Sequence, residues 1–255
     1  LTFRNNPMST HFVNYDKMFG EIEAFDCENI AGPLRVLNLG ELGDPLAVDE
    51  ITGFAEQIVP FMPAHAPRTR LLFLTKSDSV KTLLGVEHGG QTIVSFSINT
   101  EKVWRYLEHR TPSPVARLKA ARKVQEAGYE VRLRIDPVIR YSTWKTDYEA
   151  LVEQVFSQVR PTRITLGEYR PAEGLTNHIR ARFPESPLIK VNGSLVPEAG
   201  KRRYPRECRL EMFSAIAKEI RRHSPRIDIA LCKESVEIWK AVGLDGNGLR
   251  CNCLG

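Results

Sequence analysis

The sequence predicts an α/β fold, a partial (β/α) barrel with its working site at the C-terminal ends of the strands. Short apolar runs recur along the chain with amphipathic stretches between them, the alternation of units that feed a parallel sheet. Crossovers between parallel strands keep one hand, so such strands curl toward a barrel. Small polar and charged residues gather at or just beyond several runs, where barrels of this kind carry their sites.

The elements follow in order. A helix-like segment near Asp16–Ala24 precedes the first strand-like run, Leu34–Leu39, so the sheet is expected to lack its opening strand and the sequence reads as a fragment. After that run comes Gly40-Glu41-Leu42-Gly43-Asp44. Its glycines let backbone approach a ligand and its carboxylates accept from ammonium or hydroxyl groups, or else it is a turn with an N-cap aspartate. The run Arg70–Leu74 ends in Thr75-Lys76-Ser77, whose lysine could neutralise a carboxylate or phosphate or simply be solvated. In Thr92–Ile98 and the residue after it, Ser95, Ser97 and Asn99 alternate and share one face. They form either a satisfied polar layer or a set of hydrogen-bonding groups for a bound molecule.

The clearest helix spans Pro114–Ala127: Val115, Leu118, Ala121 and Val124 fall at helical spacing, and Gly128 stands at the C′ position. Glu130–Ile135 follows, with Arg132 and Arg134 alternating before Asp136-Pro137. Charges inside a barrel need partners, so these arginines should pair with Glu41, Asp44 or Glu168, or hold a ligand. Arg163–Leu166 and Ile227–Leu231 complete the strands. Between them, Lys190–Arg206 reads as an irregular or hairpin insertion, with Asn192-Gly193 as its turn signal.

At 255 residues, 42% hydrophobic and 26% charged, the chain is long enough to bury one sizeable core, and residues 1–255 are expected to form one domain. No apolar run approaches the roughly 20 residues needed to span a bilayer, and the expected compartment is the cytoplasm. The net charge of +5 favours an acidic partner such as a nucleic acid. Five cysteines, odd in number and mostly far apart, are poor material for a disulfide framework and are expected to be reduced. Cys27, Cys208 and Cys232 read as small core residues, and Cys251 and Cys253 as tail thiols; no metal ligand is assigned within the chain. No nucleophile elbow, P-loop, dinucleotide fingerprint or histidine-based zinc motif is present, which weighs against hydrolase and nucleotide-binding classes.

From Leu37 to Leu151 the chain resembles the spore photoproduct lyase family of radical S-adenosylmethionine enzymes. The resemblance rests on DPLAVD (Asp44–Asp49), FLTK (Phe73–Lys76), FSIN (Phe96–Asn99), RLKAARKVQEAGY (Arg117–Tyr129), PVIRYSTW (Pro137–Trp144) and Tyr148, with Gly200, Lys201 and Tyr204 further on. It implies a barrel of radical S-adenosylmethionine type that here lacks its first strand and its CxxxCxxC loop, the chain starting just after the loop whose thiolates hold a 4Fe–4S cluster. It further implies that Glu41, Asp44, Lys76, Ser97 and Asn99 surround S-adenosylmethionine. Lys201, Arg202, Arg203, Tyr204 and Arg206 would meet DNA phosphates and an extruded base, or be a solvated charge run. Glu41 stands where the family carries a cysteine that returns a hydrogen atom to the product radical.

The implied activity is a radical lyase repairing a thymine lesion in DNA, supplied with electrons by a ferredoxin or flavodoxin. A family relative with another substrate, and a cluster-less nucleic-acid-binding protein, are the competing readings.

Overall fold

The structure, a computed structural model, describes residues 11–28, 34–40, 43–172, 174–198 and 200–244. Helix α1 (Tyr15–Cys27) leads into β1 (Arg35–Leu39), followed by α2 (Phe54–His65), β2 (Thr69–Thr75) and β3 (Thr92–Ser97). Next come α3 (Glu101–Leu107), α4 (Pro114–Glu126), β4 (Glu130–Val138), α5 (Trp144–Gln158) and β5 (Arg163–Glu168). The chain then runs through α6 (Leu175–Arg182), α7 (Leu188–Gly193), the hairpin β6 (Val196–Glu198) and β7 (Lys201–Arg203), α8 (Arg206–His223), β8 (Asp228–Leu231) and α9 (Val236–Ala241).

Six strands form one parallel sheet in the order β1-β2-β3-β4-β5-β8, curled into a half-barrel as the sequence predicts. Each expected strand is present, with β4 running three residues further than expected. It extends through Pro137, which is tolerated because the register with β5 shifts between Ile135 and Val138 and frees the proline from the ladder. No helix among the described residues is long and apolar enough to cross a membrane.

Side-chain alternation divides the sheet into two chemically different faces. Phe73, Val94, Phe96, Leu133, Ile135, Ile164 and Leu166 pack outward into the common apolar core with the helices. Helix α4 joins it through Leu118, Ala121 and Val124; Ser113 caps its start by accepting from Ala116 N, and Gly128, at φ +91°, follows its end. On the other face the register sets Ser95 beside Arg132 and Arg163, and Ser97 beside Arg134 and Thr165.

Among the described residues these interior arginines meet carboxylates that the sequence reading does not name, while Glu41, one of the expected partners, lies outside the described residues. Arg132 pairs with Glu130 at 2.6 Å, and Arg134 with Asp136 at 2.9 Å. In both cases the carboxylate lies two residues away on the same strand, hence on the same face, so alternation itself supplies the neutralising group. Glu130 also takes Arg70 at 2.6 Å; burial pushes its carboxyl up, but Arg132, Arg70 and Thr162 outweigh this and bring it down to about 2.

Two further expectations are corrected. Asn192-Gly193 closes helix α7, and the hairpin turns instead between Glu198 and Lys201, beside Gly200. Cys27 is exposed, off the buried side of its helix, and Cys208 is half-buried at the edge of the core; Cys232 alone of the three is buried. All three are free.

The ends of β3 and β4 are clamped by Tyr148, which projects from α5. Its hydroxyl accepts from Ile139 N at 3.0 Å and donates to Asn99 Oδ1 at 2.9 Å, while Asn99 Nδ2 donates to Pro137 O at 2.7 Å. Burial raises the Tyr148 phenol well above its ordinary value, so it stays a neutral donor. Tyr148→Phe leaves the buried Ile139 N–H and Asn99 carbonyl each short of a partner and should cost about 1–3 kcal/mol, read as a lower urea midpoint with unchanged slope.

Candidate functional site

The site forms where β1, β2, β3 and β4 end. Leaving β1, the chain must pass against β2 at Gly40: a Cβ there would stand 2.5 Å from Leu74 O, and its φ of +150° suits only glycine. Glu41, with Leu42, lies outside the described residues. Four residues after Gly40, Asp44 fastens the turn to the end of β2. Its Oδ1 accepts from Thr75 Oγ1 at 2.7 Å and from Leu46 N and Ala47 N, and its Oδ2 accepts from Lys76 N at 2.7 Å. It therefore caps the 3-10 turn Pro45–Ala47, as the N-cap alternative anticipates, and adds a cross-strand clasp that no sequence pattern shows.

The structure brings Asp44, Lys76 and Ser97 together with Gly40, Gly43, Arg134 and Asp136 around one pocket of about 250 Å³. Asn99 does not line it; its amide is taken up by Tyr148, Pro137 and the Thr100 N–H, making it part of the β3–β4 clamp. The pocket carries two cations, Lys76 and Arg134, and two carboxylates, Asp44 and Asp136. Such a balanced set suits a zwitterionic ligand better than a free anion.

Lys76 is tied to a residue that sequence reasoning did not single out. Its Nζ lies 2.6 Å from Glu108 Oε1, and Glu108 Oε2 lies 2.6 Å from Arg117 Nη2. Arg117 is fully buried and also donates to Ser97 O at 2.8 Å, Pro112 O at 3.0 Å and Thr111 Oγ1 at 2.7 Å. Burial pushes the Glu108 carboxyl up, but Lys76 and Arg117 together hold it below its usual value. Nothing in the sequence marks Glu108; Arg117 sits on a helical stripe as if it were a core residue, and only burial shows why.

Deeper in the mouth, Gly167 has no room for a side chain, since a Cβ would meet Asp136 Cγ at 2.5 Å. Asp136 takes Arg170 at 3.5 Å as well as Arg134, and Cys232 Sγ accepts from Arg134 Nη2 at 2.9 Å.

The basic strip divides in two. Lys201, Arg202 and Arg206 are exposed, whereas Arg203 and Tyr204 are buried. Arg203 pairs with Glu168 and, at 2.9 Å, with Glu234, while Tyr204 receives the Arg140 N–H at 3.1 Å and donates its own N–H to Glu168 Oε2. Both are held within the fold rather than presented to solvent, Arg203 by the carboxylate that ends β5 and by Glu234, and Tyr204 by Arg140 N and Glu168. Burial raises the Glu168 carboxyl against the opposing pull of Arg203 and Arg209. Among the described residues no group of three His, Cys, Asp or Glu side chains could hold a metal ion, and Cys251 and Cys253 lie outside them.

A family model described as spore photoproduct lyase matches residues 1–191. The spore photoproduct lyase of Clostridium acetobutylicum is 28% identical over 178 residues, 69% of this chain and 52% of that protein. That of a Geobacillus species is 28% identical over 192 residues, 73% of this chain and 56% of that one. The chain thus spans about half the length of these curated relatives. In three dimensions it is similar to a spore photoproduct lyase double mutant with bound AdoMet and dinucleoside spore photoproduct, with a TM-score of 0.81 and 25% identity over 89% of this chain and 69% of that one.

Because the folded Glu108 carboxyl is depressed, its stabilising effect is complete above its unfolded value near 4.5 and is lost as pH falls below it. Glu108→Gln leaves the buried Arg117 charge uncompensated and should cost about 3 kcal/mol or more at pH 7. Urea titrations of parent and variant should converge as the pH falls from 4.5 through the lowered value of the folded carboxyl.

Proposed function

We propose, from the premise that this chain belongs to the spore photoproduct lyase family, that it forms the barrel domain of a radical S-adenosylmethionine enzyme acting on a thymine lesion in DNA. One observation carries the reading. The pocket ringed by Asp44, Lys76, Ser97, Arg134 and Asp136 opens at the strand ends of a half-barrel similar to one solved with AdoMet and dinucleoside spore photoproduct.

The residues present fit the methionyl end of the cofactor. Lys76 and Arg134 offer its carboxylate cationic donors, Asp136 offers its ammonium an acceptor, and Ser97 presents a hydroxyl at the pocket wall. Asp44 lines the same pocket, and its oxygens also accept from backbone and Thr75 donors, so it shapes the turn that the cofactor would rest against. S-adenosylmethionine, reductively cleaved, supplies a hydrogen-abstracting radical. Among the described residues no cluster of side chains fits the 4Fe–4S cluster that such cleavage requires. A ferredoxin or flavodoxin as electron donor, a cytoplasmic setting and one domain over residues 1–255 complete the reading.

A second reading, a family relative with a different substrate, is favoured by Glu41. A carboxylic acid O–H bond is far stronger than a thiol S–H bond, so Glu41 is no source of the hydrogen atom that the family's cysteine returns.

Anaerobic reconstitution of the full-length protein with iron and sulfide, followed by assay with S-adenosylmethionine and dinucleoside spore photoproduct, tests the proposal. Cofactor cleavage with lesion turnover supports it; cleavage without turnover selects the second reading, and no cleavage refutes both. In that protein Lys76→Ala should weaken S-adenosylmethionine binding about tenfold by calorimetry, the loss of one charge-assisted contact. Unchanged affinity would remove Lys76 from the cofactor site. Replacing Lys201, Arg202 and Arg206 together should lower the salt-dependence slope of duplex binding by up to about 2 to 3, since each phosphate contact contributes about 0.9. An unaltered slope would leave them as ordinary surface charge.

A further inference from the structure

A second cleft, of about 570 Å³, opens between α3, the loop after β4 and α7. Its floor and walls are apolar and aromatic, with Ile139, Tyr141, Leu188 and Val191 inside and Tyr106 at the edge. Tyr106 is 60% exposed, which leaves a face of its ring open to a ligand. Tyr141 is held in place: its hydroxyl bonds Thr100 Oγ1 at 2.9 Å, and Lys102 Nζ lies 5.7 Å from its ring centre.

The charged residues on the lining are all cations, Lys102, Arg140 and Lys190. Lys102 is paired with Asp147 at 3.1 Å and Arg140 with Glu211 at 2.8 Å, both carboxylates standing outside the cleft. Lys190 has no acidic partner among the described residues. An apolar, aromatic slot with a cationic rim and no acidic lining matches a molecule with a flat ring and a negative tether. That is a nucleotide, since every base has a face to stack and every link a charge to neutralise. Its volume falls within the roughly 300–1,000 Å³ of ligand pockets.

The position agrees with this. Asp136 lines the cofactor-type pocket and Ile139 the cleft, three residues on along the same segment, so the two are neighbours along the chain. We propose that this cleft seats the base of an unpaired nucleotide adjacent to the reacting one, stacked on Tyr106 with its phosphate at Lys190. The inference rests on the DNA reading above. It assigns the strand's path across the barrel mouth to α3 and α7 rather than to the hairpin alone.

The test uses the full-length protein and two fluorescein-labelled single strands, an oligothymidylate and one of equal length with abasic sugars, followed by anisotropy. Tyr106→Ala should weaken the base-bearing strand about fivefold or more and leave the abasic strand unchanged, while Tyr106→Phe retains parent affinity. Lys190→Ala should weaken both strands and reduce the salt slope by about 0.7. Unchanged oligothymidylate binding in Tyr106→Ala, equal weakening of both strands, or no strand binding by the parent protein overturns the proposal. Failure of lesion turnover with Tyr106-dependent binding intact sinks the repair reading and leaves the cleft. Turnover of the dinucleoside with no Tyr106 dependence does the reverse.

Discussion

A single buried charge organises the mouth of this half-barrel. Arg117 is fully buried on α4, and a guanidinium in that setting persists only if every direction it points in is answered. Glu108, Ser97 O, Pro112 O and Thr111 answer it. In doing so they fix the end of β3, the segment after α3, and through Glu108 the ammonium of Lys76. The lysine at the pocket therefore has its place set by a helix on the outer layer of the fold. Any anionic group that reaches Lys76 must compete with Glu108, which keeps the site in a poised rather than an open state.

The same logic recurs on the far side of the mouth. Glu168, at the end of β5, would be costly to bury ionised, yet Arg203 and Arg209 close on it and the Tyr204 N–H adds a third donor. Glu234 and Glu198 pair with the same two arginines, so three carboxylates share two guanidinium groups. The small hairpin is thereby riveted to the sheet through residues that look from sequence like a surface strip. What remains exposed there, Lys201, Arg202 and Arg206, is carried on this paired base, and Arg202 also donates to Asn192 O and Leu195 O at the end of α7.

The layout of strands was legible because each is a short apolar run, and a parallel strand covered by helices on one face leaves that signature whatever else surrounds it. Gly128 and the α4 stripe were legible for the same local reason. The gathering of Asp44, Lys76 and Ser97 was implied by the family resemblance, with strand-end placement leaving each one's role open. Asn99 and Tyr204 were harder: a polar side chain beside a strand end can aim at a ligand or at a neighbouring element, and alternation alone does not choose. Tyr148 chose for Asn99, and Glu168 and Arg140 chose for the hairpin base. Arg132 and Arg134 were read as needing distant carboxylates, when Glu130 and Asp136 on their own strand were nearer by construction.

By itself the sequence determined the order of elements, the parallel sheet, the end of the barrel that carries polar chemistry and the family likeness. All of these depend on residues close together in the chain or on the fixed periods of strand and helix. Only the tertiary structure decided which charges face inward, that Glu108 holds Lys76 and Arg117, and that an aromatic cleft opens beside the pocket. Those outcomes depend on which side chains meet across tens of residues, and burial, which sets their energetic cost, is a property of the folded chain alone.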